Sequence, residues 1–202
     1  MLVIGIIVVV IVLVAAGIAL FLRAERRSIS QRDDVDIDSL LANLDRLAAL
    51  ESTGLMDAPV RPDLDALTRE AATSLRAPMA FMTLVDSQRQ FFASQYGRDA
   101  GLPRETGLEY SFCKHVVAGE VPFQVTDAAR DRRVQDNLGT TEGGVRSYLG
   151  VPLRMPSGEV IGSFCVVDTA ARVWEPAAQA RLEKMATKAM KVAMSAGPPT
   201  ES

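Results

Sequence analysis

Hydrophobic residues follow distinct patterns in the N-terminal third of this chain, and the patterns predict different elements. Residues 1–22, MLVIGIIVVVIVLVAAGIALFL, form an apolar run without a single charge. From Ile37 to Leu50, leucines recur at the spacing of one helix face, and a second helical stripe runs from Pro62 to Leu75. Pro78 ends that second helix, since a proline interrupts helical hydrogen bonding. The pattern predicts one long apolar segment followed by two amphipathic helices.

Beyond Pro78 the pattern changes to short runs that favour β-strands. Two hairpins are predicted, each with a three-residue polar connection, and a short helix, a brief strand and a polar surface segment lie between them. In chain order these segments are MAFMTLVD (79–86), QFFASQYG (90–97), YSFCKHVV (110–117), PFQVTD (122–127), AARDRRVQDNL (128–138), VRSYLGVPLRM (145–155) and EVIGSFCVVD (159–168). A long closing helix follows, with Pro176 in its first turn. Antiparallel strands with helices before and after them predict an α+β fold.

The apolar segment at residues 1–22 is long enough to be a transmembrane helix, because about 20 such residues cross a bilayer. It lacks the basic start of a cleaved signal peptide, which favours an uncleaved anchor. Arginines follow it at positions 23, 26, 27 and 32, and no basic side chain precedes it. By the positive-inside rule we expect a single pass through the plasma (inner) membrane, a charged juxtamembrane linker at 23–36 and a cytoplasmic C-terminal domain.

Charge and cysteine content narrow the classes of function. The 22 Lys and Arg against 25 Asp and Glu leave a net charge of −3, so there is no basic footprint for nucleic acid and no nucleic-acid partner is expected. Cys113 and Cys165 form no C-x-x-C motif. Their spacing indicates neither a disulfide framework nor a zinc site, and it fits reduced thiols in the cytosol.

The soluble part of the chain resembles the GAF domain family. The matching pieces occur in the family's order: ALESTGLMDAP, LTREAATSLRAPMAFMTLVDSQRQFFAS, YSFCKHVV, VTDAARDRRVQDN, VRSYLGVPL and GEVIGSFCVVDTAARVW. The resemblance covers about Leu44 to Met190. With its N- and C-terminal helices we expect the GAF domain at residues 37–195, followed by a disordered tail at 196–202. The resemblance also implies a central antiparallel sheet, terminal helices on one face and a small-molecule pocket on the other.

The resemblance further implies a sensory or regulatory module rather than an enzyme. We expect it to bind a small molecule and to signal through a homodimer or a signalling protein partner. The leucines from Ile37 to Leu50 suit a dimer bundle, although packing on the domain's own sheet explains them equally well. The alternatives are a ligand-free interaction adaptor at the membrane and a thiol-dependent enzyme resembling free methionine sulfoxide reductase.

We expect five residues to line or approach the pocket: Phe112, His115, Phe123, Arg146 and Tyr148. Core packing is the alternative role for the two phenylalanines, and an ion pair is the alternative for the arginine. Cys113 is a candidate redox thiol as well as a small packing residue. On a helix, Cys113 and His115 would point about 200° apart, which disfavours a nucleophile and base pair. No metal site is predicted, because the ligands would have to converge from distant positions.

Family subtypes differ in the residues that they require. Bilin-binding members attach the pigment through a cysteine followed directly by histidine, whereas this chain has Lys114 between Cys113 and His115. A haem-binding member would have only His115 to offer. The cyclic-nucleotide signature of phosphodiesterase-type members is absent. Free methionine sulfoxide reductases use a set of pocket cysteines, which two widely separated cysteines do not obviously supply.

Overall fold

The computed structural model describes residues 37–99 and 103–195. The predicted transmembrane helix at 1–22, the linker at 23–36 and the tail at 196–202 all lie outside these residues. Among the described residues, no helix combines the length and the apolar character needed to cross a membrane.

Six helices and six strands make up the described fold. The helices are α1 (Ile37–Leu41), α2 (Leu44–Ser52), α3 (Pro62–Leu75), α4 (Cys113–Gly119), α5 (Leu138–Thr141) and α6 (Pro176–Ser195). The strands are β1 (Met79–Val85), β2 (Arg89–Tyr96), β3 (Glu105–Gly107), β4 (Phe123–Val125), β5 (Ser147–Arg154) and β6 (Val160–Asp168). Short 3₁₀ turns occupy Leu108–Tyr110 and Ala128–Arg130. The predicted α+β class and both predicted hairpins are confirmed.

The strands form one antiparallel sheet in the order β3-β2-β1-β6-β5-β4. The central pair, β1 and β6, is far apart in sequence, and Phe81 lies opposite Cys165 in its register. This pairing joins the two hairpins into one sheet. It therefore places residues of the first and second hairpins side by side on each face.

The two faces of the sheet have different coverings. Helices α3 and α6 cover one face, where strand and helix side chains form the main hydrophobic core. That core includes Met82, Leu84, Leu149, Ile161, Phe164, Leu64, Leu67 and Leu182. Helix α4 lies over β6, β5 and β1 on the remaining face. Because side chains alternate along a strand, every second residue of these strands faces away from the main core.

The first predicted helix differs from the structure, because the stretch from Ile37 to Leu50 is two helices rather than one. The break lies at Ala42 and Asn43. The Asn43 side chain accepts a hydrogen bond from the Arg46 backbone N–H at 3.0 Å and caps α2. The guanidinium of Arg46, which is buried, donates to the carbonyl oxygens of Leu41 and Val85. The Arg46 N–H and the Leu41 carbonyl oxygen therefore find side-chain partners at the break. In a continuous helix, backbone groups would have been their partners.

Gly162 allows the central strands to approach closely. A Cβ atom at this position would lie 2.1 Å from the carbonyl oxygen of Thr83 on the neighbouring strand. The register of β1 against β2 shifts between Met82 and Thr83, at the same level of the sheet. A glycine inside a strand predicts a bulge or close packing against a covering helix. The structure shows that the close contact at Gly162 is with the neighbouring strand β1 instead.

Candidate functional site

A cavity of about 440 Å³ lies on the sheet face opposite the main core. The strands supply one wall through Met79, Phe81, Thr83, Gln90, Phe92, Tyr148, Cys165 and Val167. The opposite wall comes from the segments around α4 and α5, through Tyr110, Phe112, Cys113, Gly139, Gly143 and Val145. The cavity is therefore enclosed by the sheet on one side and by short connecting elements on the other.

A buried glutamine links the sheet to the start of α4. The Gln90 side chain accepts a hydrogen bond from Ser111 Oγ at 2.7 Å and donates one to Thr106 Oγ1 at 2.8 Å. Ser111 Oγ in turn accepts from the backbone N–H of Lys114 at 3.1 Å. This network holds the turn before α4 against β2. It therefore positions Phe112 and Cys113 at the cavity wall.

Two further polar groups face the cavity. Thr83 is fully buried, and its Oγ1 atom makes no hydrogen bond of ordinary geometry within the described part of the chain, although its hydroxyl lies close enough to Cys113 and Cys165 to favour their ionised forms. At the rim, the guanidinium of Arg98 lies 5.0 Å from the ring centre of Phe92 and donates to the carbonyl oxygen of Pro103. An unsatisfied buried hydroxyl carries a free-energy cost that a hydrogen bond to a bound molecule would remove.

The cavity wall also contains a pair of thiols. The Sγ atoms of Cys113 and Cys165 are 3.9 Å apart, and both side chains are buried. Tyr148 Oη donates to Cys113 Sγ at 3.3 Å and lies 3.0 Å from Ser163 Oγ. The sequence separation of the cysteines gave no sign of this contact. It arises because Cys165 sits on the central strand that α4 covers.

Gly150 makes room for the tyrosine in this cluster. It lies opposite Cys165 in the pairing of β5 with β6. A Cβ atom at Gly150 would approach Tyr148 Oη to 2.1 Å and Ser163 Oγ to 2.7 Å. Since residues two apart on a strand share a face, the Tyr148 hydroxyl lies over Gly150. The glycine therefore allows the hydroxyl to reach Cys113.

The two thiols have opposite pKa shifts. The hydrogen bond from Cys165, with a further one from Tyr148, holds the pKa of Cys113 below its usual value. Burial raises the pKa of Cys165 and also raises the pKa of the Tyr148 hydroxyl. Cys113 is therefore the more acidic member of the pair, and it is the sulfur that accepts hydrogen bonds.

His115 lies outside the residues that line the cavity. Its ring stacks on Phe123 with 4.7 Å between ring centres, and Phe123 lies 6.0 Å from Tyr148. Burial, with the nearby charges of Lys114 and Arg133, lowers the pKa of His115 to about 4. His115 and Cys113 thus have different neighbours. The imidazole stacks on Phe123, whereas the thiol contacts Cys165 and Tyr148.

The structure brings together only part of the predicted set. Phe112, Tyr148 and the candidate redox residue Cys113 line the cavity, with the rings of Phe112 and Tyr148 5.4 Å apart. Phe123 packs against the Tyr148 ring and His115 stacks on Phe123, so both lie next to a lining residue but outside the lining itself. Arg146 instead makes an ion pair with Asp127 at 2.9 Å, and its hydrogen bond lowers the pKa of that carboxyl group.

Sequence reasoning missed several of the lining residues. They are Phe81, Thr83, Gln90 and Phe92 on the first hairpin and Cys165 and Val167 on the second. The alternation within each strand was visible in the sequence. Which face of the alternation would meet the main core depended on the pairing of β1 with β6. Within residues 37–99 and 103–195, no three His, Cys, Asp or Glu side chains cluster as a metal site.

Comparisons with known proteins agree on the fold. The GAF domain family model matches residues 41–192. A cyclic di-GMP phosphodiesterase of Pseudomonas aeruginosa is 32% identical over 124 residues, which are 61% of this chain but only 21% of that protein. The chain therefore spans about a fifth of the relative's length.

Two solved structures show the same fold at low identity. The GAF domain of an Acinetobacter phosphoenolpyruvate-protein phosphotransferase has a TM-score of 0.56 at 19% identity, covering 76% of this chain and 93% of that one. A type II free methionine-R-sulfoxide reductase from Thermoplasma acidophilum also has a TM-score of 0.56, at 14% identity, covering 68% and 94%.

Proposed function

Since this chain belongs to the GAF domain family, we propose that it is a membrane-anchored cytoplasmic sensor that binds a small molecule in the cavity between the sheet and α4. The observation that supports the proposal is the cavity itself. At about 440 Å³ it falls in the usual size range of small-molecule sites. Its walls combine aromatic rings with a few polar groups, including the Thr83 hydroxyl, which makes no hydrogen bond of ordinary geometry in the described chain.

Native mass spectrometry of the full-length chain, purified in mild detergent from its native host, tests this proposal. We expect a small molecule that remains bound under native conditions and is released on denaturation. The variant Val167→Trp should remove the bound mass, because Val167 lines the cavity and a larger side chain would fill it. The control Val121→Trp should retain it, because Val121 is 58% exposed and lies outside the cavity.

An empty wild-type chain, together with no thermal stabilisation by any compound of a metabolite library, would contradict ligand sensing. That result would favour the interaction adaptor. A mass that survives in Val167→Trp would place the ligand elsewhere.

The membrane part of the proposal is supported by the uncharged apolar residues 1–22 and the arginines that follow them. We expect the full chain to sediment with membranes and to need detergent for release, while deletion of residues 1–22 should release it. Signal output is proposed through a homodimer or a partner protein. Leu40 and Leu44, which are 41% and 80% exposed, support a contact through α1 and α2.

The sulfur pair favours a second candidate function, a thiol-dependent reductase of free methionine sulfoxide. The solved reductase from Thermoplasma acidophilum has the same fold, and Cys113 and Cys165 share the cavity of this chain. Turnover of free methionine-R-sulfoxide with dithiothreitol as reductant, lost in Cys113→Ser, would support this candidate. Inactivity of the wild-type chain would remove it.

A further inference from the structure

We propose that Cys113 and Cys165 form a reversible intramolecular disulfide in the wall of the cavity, with a small hydroperoxide as the oxidant. Their Sγ atoms are 3.9 Å apart in the reduced protein. A disulfide bond is about 2.05 Å long, so the sulfurs must approach by roughly 2 Å. Both side chains line the cavity, which gives a small oxidant a path to them and leaves space for the cysteine side chains to rotate.

The surroundings of the two sulfurs assign them different roles. Cys113 Sγ accepts a hydrogen bond from Tyr148 Oη at 3.3 Å, and Ser163 Oγ, 3.0 Å from Tyr148 Oη, holds that hydroxyl in place. A donor of this kind stabilises a thiolate, which is the nucleophilic form of cysteine. Cys113 is therefore the sulfur that attacks the peroxide. Cys165, buried beside it, is the sulfur that resolves the product.

The reaction has two balanced steps. The Cys113 sulfur attacks one peroxide oxygen, an S–O bond forms and the O–O bond breaks. This step gives a sulfenic acid, and the thiol proton leaves with the other oxygen as an alcohol, or as water from hydrogen peroxide. Cys165 then attacks the Cys113 sulfur, an S–S bond forms and the S–O bond breaks, and the oxygen leaves as water with the Cys165 proton. The two thiols lose two electrons and the peroxide gains them.

Disulfide formation would change the cavity as well as the sulfurs. Tyr148 would lose the Cys113 thiol as its hydrogen-bond acceptor, and the start of α4 would be drawn toward β6. Phe112, next to Cys113 and 5.4 Å from the Tyr148 ring, would move with it. The inference rests on the geometry of the sulfurs and does not require the ligand of the proposed function.

Intact-mass spectrometry of the full-length chain after treatment with hydrogen peroxide tests the inference. The chain has two cysteines, so a loss of two mass units in a monomer can come only from this pair among its thiols. We expect that loss in the native wild type, with a Cys113–Cys165 cross-link in the peptide map and full reversal by dithiothreitol. In Cys165→Ser, Cys113 should instead be trapped as a sulfenic acid by dimedone. In Cys113→Ser, Cys165 should react much more slowly.

Two tyrosine variants test whether the Tyr148 hydroxyl promotes the reaction of Cys113 or whether the closeness of the two sulfurs is sufficient. Tyr148→Phe removes the donor to Cys113 and should slow disulfide formation about tenfold, the scale expected when one hydrogen bond to a charged group is lost. Tyr110→Phe is the matched control, because Tyr110 also lines the cavity but its hydroxyl donates to Glu142 at 2.6 Å. Its rate should equal that of the wild type.

Three results would overturn the inference. The first is a wild type that gains oxygen on cysteine without losing two mass units. The second is a native chain that does not react while the urea-unfolded chain does. The third is a disulfide that joins two chains, seen as a doubled mass under non-reducing conditions.

Discussion

At the residue scale, Tyr148 connects the features of the site. Its hydroxyl reaches Cys113 and Ser163, and its ring contacts Phe112 and Phe123. The residue is only 1% exposed, and part of its surface forms the cavity wall. Through Phe123 the contacts continue to His115. Two rings, those of Tyr148 and Phe123, therefore connect the Cys113 sulfur to the half-buried imidazole.

His115 makes the stability of the domain depend on pH. Its pKa is about 4 in the folded chain, whereas a histidine in the unfolded chain titrates near 6.5. The unfolded state therefore binds a proton between pH 6.5 and 4 that the folded state does not, and stability falls as pH falls through this range. We expect a loss of about 1–2 kcal/mol between pH 7.5 and 5, allowing for partial exposure of the ring to water.

Urea unfolding followed by the fluorescence of Trp174 measures this loss, because Trp174 is the chain's one tryptophan and is 3% exposed. His115→Phe is the control, since it keeps an aromatic ring beside Phe123 and binds no proton. The chain has one histidine, so the variant should show little change over the same range. Equal losses in the wild type and the variant would refute the assignment to His115.

At the element scale, the helix break between α1 and α2 arises because the capping residue Asn43 interrupts the regular leucine spacing. Leucine spacing alone predicts one helix. Asparagine, however, is a favoured N-cap, and its side chain competes for backbone N–H groups inside a helix. The Arg46 side chain then reaches back to Leu41 and across to Val85 at the end of β1. The break is therefore stabilised by the Asn43 cap and by hydrogen bonds from the buried Arg46 guanidinium to two backbone carbonyl oxygens.

Replacing the cap should destabilise α2 locally. Asn43→Ala removes the acceptor for the Arg46 amide and should cost about 1 kcal/mol, which corresponds to roughly a fivefold faster exchange of that amide. Hydrogen exchange read at the Arg46 N–H measures the effect. Asn43→Asp keeps an acceptor at the same position and should exchange like the wild type. An unchanged rate in Asn43→Ala would mean that the tertiary bonds of Arg46 suffice without the cap.

At the scale of the whole molecule, the leucines of the first two helices divide between two environments. Leu41 and Leu50 are buried in the domain, whereas Leu40 and Leu44 face outward. Packing inside the domain therefore explains Leu41 and Leu50, whereas it leaves Leu40 and Leu44 accessible to a partner. The outward leucines are the residues on which the proposed homodimer depends.

Leu44→Glu should weaken a homodimer through this surface, because a charge would be buried without a partner. We expect the full-length wild type to sediment as a dimer at micromolar concentration in density-matched detergent, and Leu44→Glu to sediment as a monomer. Val173→Glu introduces the same charge at a different exposed hydrophobic residue, which is 66% accessible, and should leave the dimer intact. A monomeric wild type would end the dimer proposal.

The residue pattern alone predicts the α+β class, both hairpins and the closing helix, because periods of two and 3.6 residues and the positions of proline and glycine act over a few residues. The sequence also carries the family resemblance, through the order of its motifs. It also placed Phe112, Cys113 and Tyr148 in the candidate set, through the resemblance. It did not separate them from Arg146, whose ion pair with Asp127 depends on a residue 19 positions away.

Long-range packing selects the strand face that carries the cavity and the residues that meet there. The pairing of β1 with β6 turns Phe81, Thr83 and Cys165 to one side, and α4 then brings Cys113 to 3.9 Å from Cys165. Contacts between residues 52 positions apart leave no mark in local spacing, because they depend on strand register and helix packing rather than on chain propensity. The thiol pair and the cavity around it are therefore properties of the fold.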